Sequence, residues 1–577
     1  MTRHSRSKVS SKKTSVAYPW RFRVLLLGFT LCLGAIGGYT FQLNWGQGDF
    51  LRQQGSMRAT GGLTIPAYRG TVVDRNGVPL AVSTEVVSIG VNPQVLSQRP
   101  EHWLTFATAF EVSLDDVADW LNKYSGRQFV YWRRHLDPQV ANAILALKIP
   151  GVSGRTEYKR YYPAGEVTSH LLGFTNIDDQ GQEGIELSYN AVLAGEQGRA
   201  SSSRDRRGRV VDMWEVDEAA REGQDLALTI DLRMQYLAHR ALAKAVDQHN
   251  AKGGSLVALD VATGEVLAMT NQPAFNPNNR IDLDYDSVRN RAVTDVFEPG
   301  STVKPFTVAA ALTSGTHEAY TPIQTAPGTM QVGRKTIRDI SNYGLIDVQT
   351  VLTKSSNVGV AKIALSMAPN YLTGFYDRLG LGHATDLLLS GERTGYMPMK
   401  NRWSDLEVAT LSFGYGMSVT ALQLAQAYSV VADNGVKRSL SVVSQTGIPA
   451  QRQQVMDPEV ASTVSDILET VTGREGTAKR AQVPGYRVAG KTGTVHKVVK
   501  TGYAEDQYLS LFAGFAPATD PKIVIVVVVD EPNAGQHYGG QVAAPVFSEA
   551  MGGMLRLAGV QMDDMSIKDQ YYAQAKL

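Results

Sequence analysis

The stretch Phe297-Glu298-Pro299-Gly300-Ser301-Thr302-Val303-Lys304-Pro305-Phe306 carries the strongest functional signal of this chain. Pro299 and Gly300 end an extended segment, and the apolar residues that follow predict a buried helix. Ser301 then lies at the helix start, and Lys304 follows one turn later on the same face. A serine hydroxyl needs a neighbouring group to take its proton, and a buried lysine with a lowered pKa can do so. The stretch therefore predicts an acyl-transfer nucleophile, Ser301, with its base in place and free helical N–H groups near a developing oxyanion.

Two further motifs make this first motif informative, because they follow it in a fixed order. Ser355-Ser356-Asn357 precedes the apolar residues 358–364, and Lys491-Thr492-Gly493-Thr494 follows the strand-like residues 486–489. Each pattern also occurs elsewhere in a polar context or in the wrong order: Ser5 with Lys8, Ser10 with Lys13, Ser188-Tyr189-Asn190 and Lys500-Thr501-Gly502. The last of these opens a segment that we expect to be a polar loop, residues 500–507. The ordered set, with apolar sequence beside each member, is far more specific than any single motif and predicts acyl transfer at Ser301.

This ordered set resembles the class B penicillin-binding proteins of the cell-division type, which are septal peptidoglycan D,D-transpeptidases. The resemblance extends from the N-terminal apolar run to about Leu557, and other segments also carry it: residues 69–77, 160–166, 289–292, 355–359 and 512–517. It implies an α/β protein with the penicillin-recognising serine transpeptidase fold, a mixed sheet covered by helices. It also implies an elongated α+β N-terminal pedestal and one transmembrane helix. Thr492 departs from the serine usual in division-type members, but both residues keep a hydroxyl.

The resemblance implies a substrate that ends in D-Ala-D-Ala and an acyl-enzyme that a neighbouring stem peptide resolves by its amine. It makes β-lactams covalent inhibitors of the same serine. The catalytic residues that it carries over are Ser301, Lys304, Ser355, Asn357 and Lys491. The substrate-binding residues that it carries over are Thr492, Gly493, Thr494, Tyr415, Tyr508 and Tyr538.

The implied roles follow from the chemistry of each group. The lysine of the first motif is the general base, and Ser355 and Asn357 are a hydroxyl relay and an orienting amide. Lys491 supplies positive charge near the substrate carboxylate, which the two threonine hydroxyls of the third motif bind. The oxyanion hole consists of the backbone N–H groups of Ser301 and Thr494.

Three tyrosines match positions in the pocket wall of the family, namely Tyr415, Tyr508 and Tyr538; the alternative is ordinary core packing. His537 stands where an aromatic residue is usual, which we expect to loosen the wall. His496 stands where arginine or lysine is common, and a histidine there has a charge that depends on pH.

The N-terminal region predicts a membrane anchor. The first 23 residues contain seven Lys or Arg and no acid, and residues 24–43 form a 20-residue run without charge. Such a run can span a bilayer, whereas a cleaved signal peptide has a shorter apolar core and a better cleavage site. A buried helix is the other alternative, but Trp45 suits a position at the membrane surface. The basic flank places the N-terminus in the cytoplasm and the rest, including the catalytic domain, in the periplasm, as a single-pass protein of the bacterial inner membrane.

Composition indicates an ordinary globular protein without a cofactor. Hydrophobic residues make up 43% of the chain and the net charge is +2. This is not the strongly basic composition that is typical of nucleic-acid-binding proteins. The ten histidines are not clustered, so we expect no metal and no nucleotide cofactor. Cys32, the single cysteine, lies within the apolar run, which excludes an intramolecular disulfide.

The length of 577 residues predicts more than one domain. The expected divisions are a cytoplasmic basic tail (1–23), a transmembrane helix (24–43), a pedestal of the dimerisation type (44–223), a transpeptidase domain (224–560) and a mobile tail (561–577). A basic run at residues 204–209 is interpreted as a solvated or contact face of the pedestal.

Local patterns within the catalytic domain predict its main elements. Residues 253–260 and 264–269 form two apolar runs around a turn at Thr263-Gly264, which predicts a β-hairpin. The wholly apolar run 523–529 is typical of a central strand covered on both faces. Residues 545–557 predict a closing helix.

The sequence contains no recognisable glycosyltransferase motif, so glycan polymerisation must come from another protein. The resemblance points to a SEDS-type, FtsW-like polymerase and other division proteins as partners, with stem peptides, β-lactams and the membrane. Small residues in the apolar run would allow another helix to pack closely: Gly28, Gly34, Ala35, Gly37 and Gly38. Two alternatives stay open, a β-lactam hydrolase or carboxypeptidase, and a drug sensor or division scaffold without turnover.

Overall fold

The computed structural model describes residues 19–42, 60–203, 215–444, 450–499 and 502–564. Its contacts divide the chain into two compact units, one of Met1–Ile65 with Gln197–Ala220 and one of Pro66–Glu196 with Arg221–Leu577. The basic tail up to residue 18, Trp45, the basic run 204–209 and the tail from residue 565 lie outside the described residues. The expected division at residues 223 and 224 stays a prediction.

Strands and helices are numbered here in chain order. The strands are β1 Thr60–Ile65, β2 Val72–Val73, β3 Pro79–Val91, β4 Val130–Leu136, β5 Val152–Tyr161, β6 Gly198–Ser203, β7 Glu215–Glu218, β8 Leu226–Ala227, β9 Gly253–Asp260, β10 Val266–Gln272, β11 Pro322–Gln324, β12 Thr329–Val332, β13 Lys335–Arg338, β14 Leu345–Asp347, β15 Val436–Arg438, β16 Arg452–Gln454, β17 Ala489–Val499, β18 Gly502–Ala516 and β19 Ile523–Asp530. The helices are α1 Pro19–Phe41, α2 Pro93–Ser97, α3 Trp103–Phe110, α4 Leu114–Lys123, α5 Pro138–Ala146, α6 Ser169–Leu172, α7 Gly184–Ser188, α8 Asn190–Leu193, α9 Leu232–Gln248, α10 Arg291–Thr294, α11 Lys304–Thr313, α12 Val348–Thr353, α13 Asn357–Leu365, α14 Pro369–Leu379, α15 Asp405–Leu411, α16 Ala421–Ala432, α17 Pro458–Thr472 and α18 Gly539–Leu557.

The smaller unit contains helix α1 and a three-stranded antiparallel sheet of β1, β6 and β7. Residues Trp20–Phe41 of α1 form a 22-residue helix that is long and apolar enough to cross a membrane, and no part of its apolar stretch is buried in protein. A helix that is apolar on all sides and exposed throughout suits a lipid environment. The helix includes most of the expected span 24–43.

The C-terminal part of the larger unit is built on a five-stranded antiparallel sheet of order β10-β9-β19-β18-β17. Strand β19 lies in the middle, and Ile523–Val529 are all buried, as its unbroken apolar sequence predicts. The hairpin of β9 and β10 is confirmed, with Gly264 in the left-handed region at φ +76°. Strand β17 forms one edge of the sheet, which leaves its outer side free to line a cleft.

Helices cover both faces of this sheet. On one face, α9 and α18 pack their apolar sides onto alternate residues of the strands, such as Leu256 and Val527. On the other face, α11 and α16 belong to a larger core that includes Val257 and Val526. Because strand side chains alternate between faces, each strand contributes to both cores. The α/β architecture with a helix-covered sheet is therefore confirmed, although this sheet is antiparallel throughout.

The N-terminal part of the larger unit is an α+β region. Strands β4, β3, β2 and β8 form a sheet to which β5 adds by pairing with β3, and a turn at residues 74–77 joins β2 to β3. A small aromatic core lies beside it, around Phe106, Phe110 and Trp132. A buried ionic cluster also lies there: Arg69 Nε and Arg160 Nε donate to the two carboxylate oxygens of Glu186 at 2.7 and 2.6 Å.

Four local features differ from the sequence expectations. Strand β17 begins at Ala489, so the third motif lies within the strand rather than after it. The segment expected as a polar loop up to Gln507 belongs to β18, because β17 and β18 continue as a long hairpin beyond the sheet. The closing helix α18 begins at Gly539, six residues before the expected start at Pro545. Of the expected mobile tail, Asp563 is held by hydrogen bonds from Arg487 N at 2.8 Å and Thr519 Oγ1 at 2.8 Å.

Candidate active site

Ser301 lies in a short 3-10 turn, Gly300–Val303, and not in the α-helix itself. Helix α11 begins at Lys304, so the spacing of the motif corresponds to the tight turn that leads into the helix. A hydrogen bond from the core stabilises this turn: Tyr428 OH, which is buried, donates to Thr302 O at 2.7 Å. Among the described residues, the Ser301 hydroxyl has no hydrogen-bond partner, so it remains available to a substrate.

Lys304 is fully buried, and its ammonium binds oxygen atoms of the second motif. Lys304 Nζ donates to Ser355 O at 2.6 Å, to Ser355 Oγ at 3.1 Å and to Asn357 Oδ1 at 2.7 Å. Burial and the neighbouring Lys491 lower the pKa of Lys304 well below its ordinary value, while Asp339 raises it in part. A lowered pKa favours the neutral amine, which is the form that accepts a proton and therefore the form required of a general base.

Lys491 enters the same cluster from the edge strand β17. Its Nζ donates to Ser355 Oγ at 3.0 Å, so one hydroxyl lies between the two lysines. Burial lowers the pKa of Lys491 to about 7. The first, second and third motifs therefore converge on Ser355 Oγ, which can pass a proton between the two amines.

The backbone of Ser355 explains how one residue makes these contacts. Its φ is +58°, in the left-handed region that side chains with a Cβ seldom adopt. This conformation turns both its carbonyl and its hydroxyl toward Lys304. Strain of this kind is found where the surrounding structure holds a functional geometry.

Asp339 is a residue that the sequence analysis missed. It follows strand β13, and its carboxylate accepts hydrogen bonds from Ser356 Oγ at 2.6 Å, Asn357 N at 2.5 Å and Val358 N at 3.0 Å. These donors form the beginning of helix α13. No motif marks Asp339, because it lies 18 residues before Asn357 and reaches it through the fold.

The three residues after Lys491 continue along β17 at the cleft edge. Thr492 Oγ1 lies 3.0 Å from Thr477 Oγ1, and Thr494 Oγ1 accepts a hydrogen bond from Gly539 N at 2.9 Å. Gly493 lies between them, with Thr302 close to where a Cβ would stand, at 2.9 Å. The strand thus presents threonine hydroxyls held by neighbours and keeps close contact with the turn that carries Ser301.

Gly414 permits another close approach beside the nucleophile. A Cβ there would lie 2.3 Å from Gly300 O and 2.5 Å from Gly300 N, and Gly414 has φ +85°. Gly539 is similar, since a Cβ would lie 2.3 Å from both Gly493 O and Leu511 O. Both glycines therefore allow backbone segments to meet directly around the Ser301 turn and strand β17.

The three tyrosines have different surroundings. Tyr415 is half-buried and makes an edge contact with Tyr503 at 5.9 Å between ring centroids. Tyr508 lies between two histidines: the ring of His537 stacks on it at 4.1 Å, and the ring of His496 lies at 4.5 Å. The expected loosening of a pocket wall by His537 stays a prediction; here its imidazole stacks on the ring of Tyr508. Tyr538 is exposed and lies 4.5 Å from the ring of the preceding residue, His537.

Comparison with protein families gives two matches along the chain. The family described as penicillin binding protein transpeptidase domain matches residues 254–552. The family described as penicillin-binding protein dimerisation domain matches residues 64–228. The converging motifs lie within the first match.

Curated relatives match over nearly the whole chain. The peptidoglycan D,D-transpeptidase FtsI of Escherichia coli is 41% identical over 96% of this chain and 94% of its own length. The probable peptidoglycan D,D-transpeptidase PbpC of Pseudomonas aeruginosa is 40% identical over 95% of this chain and 96% of its own length.

Solved structures are similar in fold. Penicillin-binding protein 3 of Mycobacterium tuberculosis complexed with aztreonam has a TM-score of 0.67 and 27% identity, over 87% of this chain and 98% of that one. The transpeptidase domain of penicillin-binding protein 3 from Burkholderia pseudomallei has a TM-score of 0.54 and 39% identity, over 58% of this chain and 97% of that one. With both domain families matched in order, this chain belongs to the class B penicillin-binding proteins.

Proposed function

We propose that this protein is a membrane-anchored peptidoglycan D,D-transpeptidase that cross-links stem peptides during septal wall synthesis. The observation that carries the proposal is the buried array in which Lys304 Nζ and Lys491 Nζ both bond to Ser355 Oγ, at 3.1 and 3.0 Å, beside the turn of Ser301. Burying an amine without a carboxylate partner lowers the stability of the folded protein. Buried amines with shifted pKa values are therefore found mainly at active sites.

The first chemical step is acylation. Lys304 takes the proton of Ser301 Oγ, which attacks the carbonyl of the penultimate D-alanine, and the tetrahedral intermediate forms. The proton returns through Ser355 to the nitrogen of the terminal D-alanine, the C–N bond breaks and D-alanine leaves. An ester between Ser301 and the stem peptide remains. A β-lactam enters by the same attack, but its ring opens without a leaving group that departs.

The backbone N–H groups of Ser301 and Thr494 are assigned to the oxyanion, and the loss of one such donor costs ~3 kcal/mol of transition-state stabilisation. The substrate carboxylate is assigned to Lys491 with the hydroxyls of Thr492 and Thr494. Gly493 lets the strand approach the Ser301 turn. The second half of the reaction is attack on the ester by the amine of a neighbouring stem peptide, whose proton passes to Lys304. The new amide bond forms, the ester C–O bond breaks, and Lys304 returns the proton to Ser301 Oγ.

The nucleophile is tested by covalent labelling with a fluorescent penicillin. Ser301→Ala should abolish labelling while the thermal unfolding temperature stays close to that of the wild type. Ser314→Ala, at the end of the same helix, is the matched control and should label normally. Labelling of Ser301→Ala at the wild-type rate would overturn the assignment.

Labelling alone does not separate a transpeptidase from a hydrolase or from a sensor that keeps the fold without turnover. Purified full-length protein is therefore incubated with peptides that end in D-Ala-D-Ala and with an amine acceptor. The proposal expects cross-linked product with release of D-alanine. Release of D-alanine with water as the sole acceptor would support a carboxypeptidase, and labelling with no release would support a sensor.

We also propose the orientation and the domain limits that the sequence indicates. The basic residues before α1 support a cytoplasmic N-terminus, with the pedestal (44–223) and transpeptidase domain (224–560) in the periplasm of the inner membrane. A reporter that is active only in the periplasm, fused after Leu577, should be active. An inactive fusion there, together with an active one at the N-terminus, would reverse the orientation.

A SEDS-type, FtsW-like glycan polymerase is the proposed partner, with other division proteins. Support comes from the exposed apolar helix α1 and its small residues, which suit helix packing in a bilayer. Replacing residues 24–43 by an unrelated spanning helix should keep penicillin acylation but weaken co-purification with the polymerase. Unchanged association after this replacement and after charge reversal in the pedestal would remove the basis for the partner.

A further inference from the structure

We infer that His170 forms a pH-sensitive contact between the N-terminal and C-terminal parts of the larger unit: in acid its ring takes up a proton and the contact opens. His170 lies in α6 of the N-terminal part and is buried. Its Nε2 lies 2.8 Å from Ser287 O of the C-terminal part, and because a carbonyl oxygen only accepts, Nε2 carries the hydrogen atom. The ring also makes an edge contact with Phe275, at 5.5 Å between ring centroids. One imidazole therefore joins the two parts by a hydrogen bond and by packing.

The contact of residues 162–175 with the C-terminal part is here called the junction. Other polar side chains of the C-terminal part also bind backbone carbonyls of this segment. Asn278 Nδ2 donates to the carbonyl of Tyr162 at 2.9 Å, and Gln235 Nε2 donates to the carbonyl of Val167 at 2.8 Å. Of these two amides and the imidazole, only the imidazole can change its charge between pH 5 and 8. The junction thus has a titratable donor among neutral ones.

The surroundings of the ring favour its neutral form while the junction is closed. Burial is the largest cause that lowers the pKa of His170, to about 4. Arg291 from α10 and His239 from α9 lower this pKa further. The carbonyl oxygen atoms of Ser287 and Pro273 raise it in part, but they do not outweigh burial.

A cavity of about 220 Å³ lies beside the ring. The titratable or charged groups in its wall, apart from the ring itself, are Glu183, Tyr285 and Arg289. Burial raises the pKa of Glu183, so this carboxyl is a weaker counter-ion in acid. Glu166 acts on His239 instead. Among the described residues the imidazole forms no salt bridge, so a proton on it would leave a buried charge without a counter-ion while the junction stays closed.

The direction of the pH effect follows from the two states of the ring. In the open junction the ring is hydrated, with the ordinary pKa of a histidine, about 6.5. Above that pH it is neutral in both states, and opening gains nothing. As the pH falls from 6.5 towards 4, the open state takes up the proton first, so opening becomes progressively more favourable. Between pH 7 and pH 5 the equilibrium constant for opening should rise about 20-fold.

Hydrogen–deuterium exchange of the full-length protein measures this opening region by region. Peptides that cover residues 162–175 and 285–291 report on the junction, and the peptide of β9, residues 253–260, is the internal reference. After correction for the intrinsic pH dependence of exchange, protection at the junction should fall about 20-fold relative to β9 between pH 7 and pH 5. An equal change in all three peptides would overturn the inference. The measurement needs no substrate, so its result is independent of the proposed reaction.

Substitutions identify which group takes up the proton. His170→Gln keeps an amide that can donate to Ser287 O but cannot be protonated in this range, so the regional pH dependence should disappear while protection at pH 7 stays close to that of the wild type. His383→Gln is the matched control, because His383 is exposed and bonds to Asp377 at 2.7 Å, and it should keep the dependence.

A regional pH dependence that persists in His170→Gln would contradict the assignment to this ring. If His170→Gln does not fold, His239→Gln decides. A dependence that survives in His239→Gln supports His170 as the group that takes up the proton, and a dependence that is lost there transfers the role to His239 and overturns the inference.

Discussion

Two groups of buried charges lie in the larger unit, and they differ in whether each charge meets its opposite. In the N-terminal part, Arg69 and Arg160 bond to the carboxylate of Glu186, and the side chains are 0 to 1% exposed. In the active site, Lys304 and Lys491 are equally buried but bond to neutral oxygen atoms, and among the described residues neither forms a salt bridge.

The difference shows that a counter-ion distinguishes two kinds of buried charge. Charges that have one stabilise the fold, and charges that lack one can take part in the reaction. Paired charges inside a protein stay ionised and fix the geometry around them. Amines that are buried without a counter-ion are pushed toward the neutral form, which makes them able to accept protons. We therefore expect the ionic cluster to govern stability and the lysine pair to govern rate.

Removal of the base should have the largest effect. Lys304→Ala is expected to slow acylation by about 10²- to 10⁴-fold, the range for loss of a general base, without a matching loss of stability. Stopped-flow acylation with a chromogenic β-lactam measures the rate, and thermal unfolding provides the control. A nearly normal rate would transfer the role of base to another group.

Removal of the counter-ion in the other region should affect stability instead. Glu186→Gln leaves two guanidinium groups buried without their anion and should lower the free energy of unfolding by ~3–5 kcal/mol. Urea unfolding measures it, and Glu549→Gln is the control, since its pair with Lys244 is solvent-exposed and such pairs contribute about 1 kcal/mol or less. The acylation rate of folded Glu186→Gln should stay normal. A slower acylation rate with an unchanged free energy of unfolding would show instead that the ionic cluster serves the reaction rather than the stability of the fold.

The second buried lysine should carry a cost in stability that depends on pH. The pKa of Lys491 is about 7 in the folded protein, below its value in the unfolded chain of about 10.4. Below pH 7 both states are protonated and the cost is complete, whereas between these values the folded state loses its proton first, so stability rises with pH.

Lys491→Met should therefore increase the free energy of unfolding by about 1–4 kcal/mol at pH 7, as replacement of buried charges by apolar groups does. The gain should shrink as the pH approaches 10. Unfolding curves in urea at several pH values measure it, with Lys244→Met as the exposed control. A gain that does not vary with pH would contradict the lowered pKa.

The smallest effect is expected at the aromatic wall. His537→Leu removes the ring stacked on Tyr508, and aromatic pairs contribute about 0.5–1.5 kcal/mol, so acylation should slow by up to ~10-fold. His383→Leu, on the exposed surface, is the control. An increase in the acylation rate would show instead that the stacked ring obstructs the pocket.

Much of the fold could be predicted because local patterns agree with it. The apolar run of β19 predicted a central strand, and the Thr263-Gly264 turn predicted the hairpin of β9 and β10. The extent of the elements could not be predicted as well. The β17–β18 hairpin continues through a polar segment, because backbone pairing extends it without a hydrophobic face. Periodicity also gave no sheet order, which depends on contacts between strands that are distant in sequence.

The site could be predicted as a set of residues, but not as a geometry. The three motifs named every group that meets Ser355 Oγ, because each motif places a side chain at a turn or strand edge. The left-handed backbone of Ser355 and the carboxylate of Asp339 have no signal in the sequence. Both are recognised only from three-dimensional contacts, those of Ser355 with Lys304 and those of Asp339 with the start of α13.

The glycines beside the nucleophile restrict how this protein can evolve under antibiotic pressure. A side chain at Gly414 would overlap the backbone of Gly300, and one at Gly539 would overlap the backbone of Gly493. Resistance substitutions at these two positions would disturb the turn or the strand that the enzyme needs for its own reaction. Escape from a covalent inhibitor should therefore arise where a side chain is not packed against backbone on all sides, as at the partly exposed His496 and the exposed Tyr538. An inhibitor whose contacts are confined to the glycine-lined backbone would leave the fewest such routes open.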